Sequence, residues 1–152
     1  MITFVPNGDI FQSNMDVLVV PVNIVGTMGN GLALAFKQRY DGLEAIYKGF
    51  CNINNFRNGD ETLRCIMVTS QATWNGKRIL LFPTKVDWRN PSKMEYIDEG
   101  LQEFCRLWRF WGVERIAFPR LGCGKGKLGW GGVKELMVKW LDDLPMEIEI
   151  YE

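Results

Sequence analysis

Histidine is absent from the 152 residues of this chain. The absence excludes Ser-His-Asp and Cys-His catalysis, histidine-ligated metal sites and pH switches built on imidazole. Any acid, base or nucleophile must therefore come from Asp, Glu, Lys, Tyr, Cys, Ser or Thr.

Cysteine is sparse, and long apolar runs are missing. The four cysteines contain no CxxC pair, so neither a zinc site nor a redox motif is predicted, and we expect no metal and no cofactor. No apolar run approaches the roughly 18 residues of a membrane helix, and no signal sequence opens the chain. These features favour a protein of the reducing cytoplasm that does not attach to a membrane.

The chain also lacks an excess of charge of either sign, since Lys+Arg and Asp+Glu both number 18. No global field therefore draws it to nucleic acid or membrane, although a local basic patch stays open. Hydrophobic residues make up 47% and charged residues 24%, which is ordinary for a globular protein. We expect one domain over residues 1–152, present as a monomer.

Apolar segments of strand length alternate with segments of helical periodicity. Val17–Val22 (VLVVPV) is a nearly continuous apolar run, typical of a strand buried on both faces, although Pro21 weakens it near its end. The other predicted strands are Ile2–Val5, Leu63–Thr69, Arg78–Phe82, Arg115–Phe118 and Met146–Tyr151, and the predicted helices are Gly31–Tyr40, Leu43–Phe50, Ser92–Trp111 and Val133–Leu141. This alternation predicts a three-layer α/β domain with a mostly parallel central sheet. Ser92 and Glu95 have capping-box spacing at the start of the longest helix.

Glycine, by contrast, is abundant and clustered. One group, Gly26 to Gly31, follows the strand Val17–Val22, and a denser group, Gly122 to Gly132, follows Arg115–Phe118. Both groups lead into helices, so they can share the edge of the sheet where ligands bind in such folds. Exposed N–H groups in glycine loops, followed by a helix N-terminus, suit a diphosphate. The alternative is that these glycines only form turns.

Neither loop matches a common nucleotide motif well. The P-loop pattern fails because Leu128 follows Gly126-Lys127 where Ser or Thr is needed. Gly124, Gly126 and Gly129 satisfy GxGxxG, but only one predicted strand follows them. A dinucleotide-binding half-sheet cannot be built from that remainder.

Five segments together resemble the macrodomain family: GDI (8–10), VLVVPVN (17–23), GTMGNGLALAFKQRY (26–40), FPTKVDWRNPSKMEYI (82–97) and FPRLGCGKGKLGW (118–130). They span nearly the whole chain. Within the family, the chain is similar to the branch that holds the DarG antitoxin and the terminal ADP-ribose protein glycohydrolase. The resemblance implies a three-layer α/β/α macrodomain with a mixed, mostly parallel sheet. It also implies an enzyme that removes ADP-ribose from a macromolecule, with ADP-ribosylated thymidine in DNA as the leading substrate.

The resemblance further implies roles for individual residues. Asp9 would accept the adenine amino group, Asn23 would bond the distal ribose beside Cys123, and Lys85 matches the catalytic lysine of the branch. The structural alternatives are a turn aspartate, an Asx-type cap, a buried thiol and a solvated lysine. The expected contacts to ADP-ribose are Asp9, Ile10, Asn23, Thr27, Met28, Gly29, Asn30, Gly31, Leu32, Trp88, Pro119, Leu121, Gly122, Cys123, Gly124, Lys125 and Gly126.

Chemistry at Lys85 requires a neutral amine or a positioned charge. A lysine of ordinary pKa, about 10.4, is mostly protonated at neutral pH, whereas partial burial or a neighbouring cation lowers that pKa. Lys77, Arg78 and Arg89 are the candidates for such a cation. Trp88 and Arg89 also suit stacking and pairing with the adenosine or with a nucleic-acid substrate.

One departure from the branch narrows the expected function. The protein-directed glycohydrolase has an aspartate in its second loop, in a GCGxD pattern, whereas this chain has Gly126 there, as DarG-type sequences do. The difference favours a site that depends on lysine alone. Two alternatives stay open: a phosphatase acting on ADP-ribose 1″-phosphate, and a non-catalytic binder of ADP-ribose or a related NAD-derived nucleotide. The expected partners are thus ADP-ribose or an ADP-ribosylated substrate, including single-stranded DNA.

Overall fold

In the computed structural model, which describes residues 1–152, a six-stranded sheet lies between two pairs of helices. The elements are β1 (Ile2–Val5), β2 (Val17–Asn23), α1 (Gly31–Arg39), α2 (Leu43–Asn52), β3 (Ile66–Val68), β4 (Arg78–Lys85), α3 (Met94–Trp111), β5 (Arg115–Phe118), α4 (Trp130–Leu141) and β6 (Glu147–Tyr151). The strand order is β1-β6-β5-β2-β4-β3, and β3 alone runs antiparallel to its neighbour. The predicted three-layer α/β/α fold with a mostly parallel sheet is confirmed.

Strand β2 holds the centre of the sheet because both of its faces are apolar. Val17 and Val19 pack into the core beneath α3 and α4, whereas Leu18, Val20 and Val22 pack into the core beneath α1 and α2. Burying one such side chain stabilises the fold by roughly 1.5–3 kcal/mol. The end of β2, and the loop that follows it, are therefore held firmly against the sheet.

Pro21 is accommodated in β2 because the sheet opens beside it. β2 pairs with β5 only at Val17 and Leu18, while its pairing with β4 continues to Asn23. Pro21 thus has no β5 residue to bond, which is the situation in which a strand tolerates a residue without an N–H. The separation of β2 from β5 leaves space at the carboxyl ends of the two strands.

Two local predictions are wrong. The strand predicted over Leu63–Thr69 is confined to β3, because the N–H groups of Leu63 and Arg64 donate to the Glu99 carboxylate and to the Phe56 carbonyl. Ser92 does not cap α3, whose N-cap is Lys93 without a side-chain bond. The Ser92 N–H donates instead to the carbonyl of Gly126, 3.0 Å away.

Five parallel strands bring their carboxyl ends to one edge of the sheet. β5 and β2 are neighbours in the sheet, so the loops over residues 24–30 and 119–129 leave from adjacent strands. The expectation that both glycine loops share one rim is confirmed. None of the four helices combines the length and the apolarity that crossing a membrane requires.

Candidate functional site

A cleft of about 780 Å³ opens at this rim, a volume typical of small-molecule sites. All the predicted site residues line it except Met28 and Leu121. Met28 is buried beneath α1 and Leu121 beneath α3 and α4. These two side chains therefore anchor the glycine loops to the core and do not face the cleft.

The cleft also includes residues that the sequence did not single out: Gly8, Pro21, Val22, Ala33, Thr84, Arg120, Tyr151 and Glu152. Several of them are chain neighbours of predicted residues. Tyr151 and Glu152 come from the other end of the chain and arrive because β6 pairs with β1, placing Tyr151 opposite Val5. Only the strand order could have indicated them.

The strand order gives the cleft two distinct ends. Asp9 follows β1, beside β6, whereas Lys85 ends β4. From β1 to β4 the sheet passes through β6, β5 and β2, so these strand ends lie about 19 Å apart at the usual strand spacing of about 4.8 Å. The two glycine loops, which leave β2 and β5, lie between them.

At the first end, Asp9 is exposed and begins a short 3₁₀ turn over Ile10–Gln12. Its Oδ1 accepts the N–H of Phe11 at 3.0 Å, and its other oxygen has no donor from the protein. The second carboxylate of the cleft, Glu152, accepts from Lys134 at 2.9 Å and from Trp130 at 3.0 Å. The Lys134 bond lowers the pKa of Glu152 most. Both bonds reach Oε1 of Glu152, so each of the two carboxylates keeps one oxygen without a protein donor, and Asp9 is the one that forms no ion pair.

Asn23 is largely occupied in building the first loop. Its Oδ1 accepts the N–H groups of Val25, Gly26 and Thr27 at 3.1–3.2 Å, and also lies 2.7 Å from the Tyr47 hydroxyl. Its Nδ2 donates to the Thr27 carbonyl at 2.8 Å. Asn23 therefore does hold the loop as an Asx-type cap, and one N–H of its amide remains available to a ligand.

The centre of the cleft is lined by backbone N–H groups, and the N-terminus of α1 points its positive dipole end there. α1 begins at Gly31, and its first intrahelical bond runs from Leu34 N to Asn30 O at 3.3 Å. The N–H groups before Leu34 have no acceptor within the helix, so this end favours an anion. Opposite, the second glycine loop turns at Gly122, whose φ is +71° and whose carbonyl accepts from Leu128 N at 2.9 Å.

Gly126 in the second loop has no space for a side chain. A Cβ there would overlap the Ser92 hydroxyl oxygen and the Gly122 carbonyl oxygen. The Ser92 oxygen is itself buried and has no hydrogen-bond partner. The loop therefore excludes a carboxylate at position 126, and the carboxylates that line the cleft are Asp9 and Glu152, both at the first end.

At the second end, the Lys85 ammonium donates to the Trp88 carbonyl at 3.2 Å and forms no ion pair. Partial burial lowers the pKa of Lys85, and the positive charges of Lys127 and Lys125 lower it further. The environment thus favours the neutral amine more than bulk water does.

The predicted cationic neighbours of Lys85 are wrong. Lys77 donates to the carbonyls of Ser13 and Met15, and Arg78 donates to those of Trp111 and Gly112. Both residues lie at the opposite end of β4, about 23 Å away along the strand. Arg89 is paired with Asp87 at 2.8 Å. The lysines of the second glycine loop supply the charge instead, because β5 and β4 flank β2.

Cys123 is the one thiol that lines the cleft. Burial raises the pKa of its thiol, and its Sγ lies 3.4 Å from the Leu121 carbonyl oxygen. A protonated thiol is a weak nucleophile. Groups of three or more metal-ligating side chains are not found anywhere in the chain.

Comparison with known proteins gives consistent matches over the whole chain. A DNA ADP-ribosyl glycohydrolase of Mycobacterium tuberculosis is 38% identical over 146 residues, covering 95% of this chain but 40% of that protein. The chain thus spans about 40% of the length of the curated relatives it matches.

Two solved structures have the same fold. The macrodomain of Mycobacterium tuberculosis DarG gives a TM-score of 0.88 at 37% identity, with 99% of this chain and 97% of that chain covered. Thermosipho africanus DarTG in complex with ADP-ribose gives a TM-score of 0.89 at 30% identity, with 99% of this chain and 41% of that chain covered. The Macro domain family model matches residues 19–137. The chain therefore belongs to the macrodomain family.

Proposed function

We propose that the cleft binds ADP-ribose and that Lys85 drives hydrolysis of the bond joining it to thymidine in DNA. The observation that carries the proposal is the placement of a lysine of lowered pKa at one end of a cleft whose centre is built for a diphosphate. The relatives named DNA ADP-ribosyl glycohydrolase support the substrate class. We further propose a monomeric, cytoplasmic protein.

The two-ended cleft suits the linear order of ADP-ribose. Adenine would lie at the first end, with its amino group donating to the unbonded oxygen of Asp9. The diphosphate would lie between the N-terminus of α1 and the second glycine loop, where backbone N–H groups bind anions. The distal ribose would reach the free N–H of Asn23. This order places the anomeric carbon beside Lys85.

No carboxylate lines the cleft at its second end, so we take Lys85 as the group that acts there. A neutral amine can attack the anomeric carbon or orient the group that attacks, and its lowered pKa increases the neutral fraction. The packing around Gly126 excludes the aspartate that a protein-directed glycohydrolase uses there. The site therefore favours ADP-ribosyl thymidine over an ADP-ribosyl glutamate ester of protein.

The test is to assay the purified protein side by side on three substrates: an ADP-ribosylated thymidine oligonucleotide, an ADP-ribosylated protein and ADP-ribose 1″-phosphate. We expect release of ADP-ribose from the oligonucleotide. Release of phosphate from the third substrate alone would make the protein a phosphatase. Calorimetric binding of ADP-ribose without turnover of any substrate would make it a binding module, and no heat at all would refute the proposal.

A further inference from the structure

The rim of the cleft at its Lys85 end carries positive charge with no acidic partner lining the cleft there. Lys85, Lys125 and Lys127 lie in or beside the cleft at this end, and none of them forms an ion pair. These unpaired cations stand out in a chain whose formal net charge is zero.

Trp88 stands at the same end and is half exposed, which is unusual for so large an apolar side chain. It lies in the loop between β4 and α3. A turn closed by Asn90 N and Asp87 O, at 3.1 Å, and the bond from Lys85 to the Trp88 carbonyl hold its backbone. The ring is therefore presented on an ordered loop.

Arg89 helps to fix that ring. Its guanidinium makes two bonds to Asp87, at 2.8 and 3.0 Å, and lies over the Trp88 ring at 5.9 Å from the centroid. One face of the indole is thus supported by a cation, and the half-exposed side chain still offers surface to a ligand. Aromatic rings held in this way are the stacking platforms of proteins that bind single-stranded nucleic acid.

The loop that carries Trp88 is joined to the loop that carries the two lysines. Ser92, after Trp88, donates its N–H to the carbonyl of Gly126, which lies between Lys125 and Lys127. Lys127 is exposed and has a φ of +67°, in the left-handed region. We call Trp88, Lys125 and Lys127 the aromatic–basic rim.

We infer that the aromatic–basic rim binds the DNA strand on either side of the modified thymidine. A neighbouring base would stack on Trp88, and backbone phosphates would pair with Lys125 and Lys127. The inference rests on the proposed function for its substrate, because ADP-ribose leaves its attached base at the Lys85 end. It adds that the protein recognises the strand as well as the ADP-ribosyl group.

The experiment compares two substrates within each variant: ADP-ribosyl thymidine as a nucleoside, and the same group within a ten-nucleotide single strand. We divide kcat/KM for the strand by kcat/KM for the nucleoside. This ratio cancels any effect of the substitution on the chemistry. Trp88→Ala should lower this ratio by about five- to 150-fold, the usual value of one stacked base, and Trp88→Phe should keep most of it. Lys127→Ala should make kcat/KM for the strand less salt-dependent, by about 0.7 in the log–log slope.

The matched control is Lys139→Ala, which removes an exposed, unpaired lysine near the far end of α4 and should leave the ratio unchanged. A ratio near one in the wild type, or an unchanged ratio in Trp88→Ala, would overturn the inference.

Failure to hydrolyse either substrate would count against the proposed function alone, since strand binding is also measurable without turnover. Anisotropy of a labelled, unmodified strand with ADP-ribose-saturated protein provides that measurement, and equal affinity in wild type and Trp88→Ala would overturn the inference there as well.

Discussion

Replacing Lys85 separates catalysis from binding and from stability. The side chain makes one hydrogen bond, 3.2 Å to the Trp88 carbonyl, and no ion pair, so Lys85→Ala should change the free energy of unfolding by about 1 kcal/mol or less. A lost acid–base or nucleophilic group typically costs about 100-fold or more in rate, which corresponds to about 2.7 kcal/mol of activation barrier. If Lys85 acts in the transition state, kcat and kcat/KM fall together while ADP-ribose affinity is kept.

The assay is single-turnover release of ADP-ribose from a modified thymidine oligonucleotide, with calorimetric titration of free ADP-ribose beside it. Lys85→Arg is the informative control, because it keeps the positive charge but a guanidinium does not deprotonate in proteins. We expect Lys85→Arg to be as inactive as Lys85→Ala. Substantial activity in Lys85→Arg would show that charge suffices, and wild-type activity in Lys85→Ala would refute a chemical role for the lysine.

Three further predictions concern the rest of the cleft. The hydrolysis rate should rise with pH through the lowered pKa of Lys85. Lys127→Ala should move that rise to higher pH, because it removes a positive charge that lowers this pKa. Identical pH–rate profiles for the two proteins would contradict the proposal that the neutral amine of Lys85 is the active form. Asp9→Asn keeps a good cap but loses the charge, so ADP-ribose affinity should fall by about 10- to 150-fold with kcat retained at saturation, as titration and steady-state kinetics would show. Gly124→Val should fold normally, since a Cβ at Gly124 meets nothing within 4 Å, yet block the diphosphate; wild-type affinity would place the diphosphate elsewhere.

The position of the site could be predicted from the sequence because few local signals were needed. The apolar run of β2 indicates a central parallel strand, and such strands bring their carboxyl ends to one edge. Two glycine loops that each follow a strand must then meet at that edge. The structure adds why Pro21 does not disrupt β2: the neighbouring strand β5 has already separated from it.

The electrostatics of the site could not be predicted in the same way. The cations that lower the pKa of Lys85 are about 40 residues away along the chain and reach it across the sheet, whereas Arg78, much nearer in sequence, lies at the far end of the same strand. Likewise, the spacing of Ser92 and Glu95 suggests a helix cap, but the Ser92 N–H is used by the second glycine loop. In both cases, the pKa of Lys85 and the start of α3, the outcome depends on contacts between elements that are distant in the sequence.

The packing under the second glycine loop limits the chemistry above it. A side chain at position 126 would meet both the Ser92 hydroxyl and the Gly122 carbonyl. Replacing Ser92 with a smaller residue would relieve only the first of these contacts. The second involves backbone that is held by the 2.9 Å bond from Leu128 N to Gly122 O, so a side chain at 126 requires that backbone to shift. We therefore expect the proposed lysine-dependent chemistry to proceed without a carboxylate at position 126.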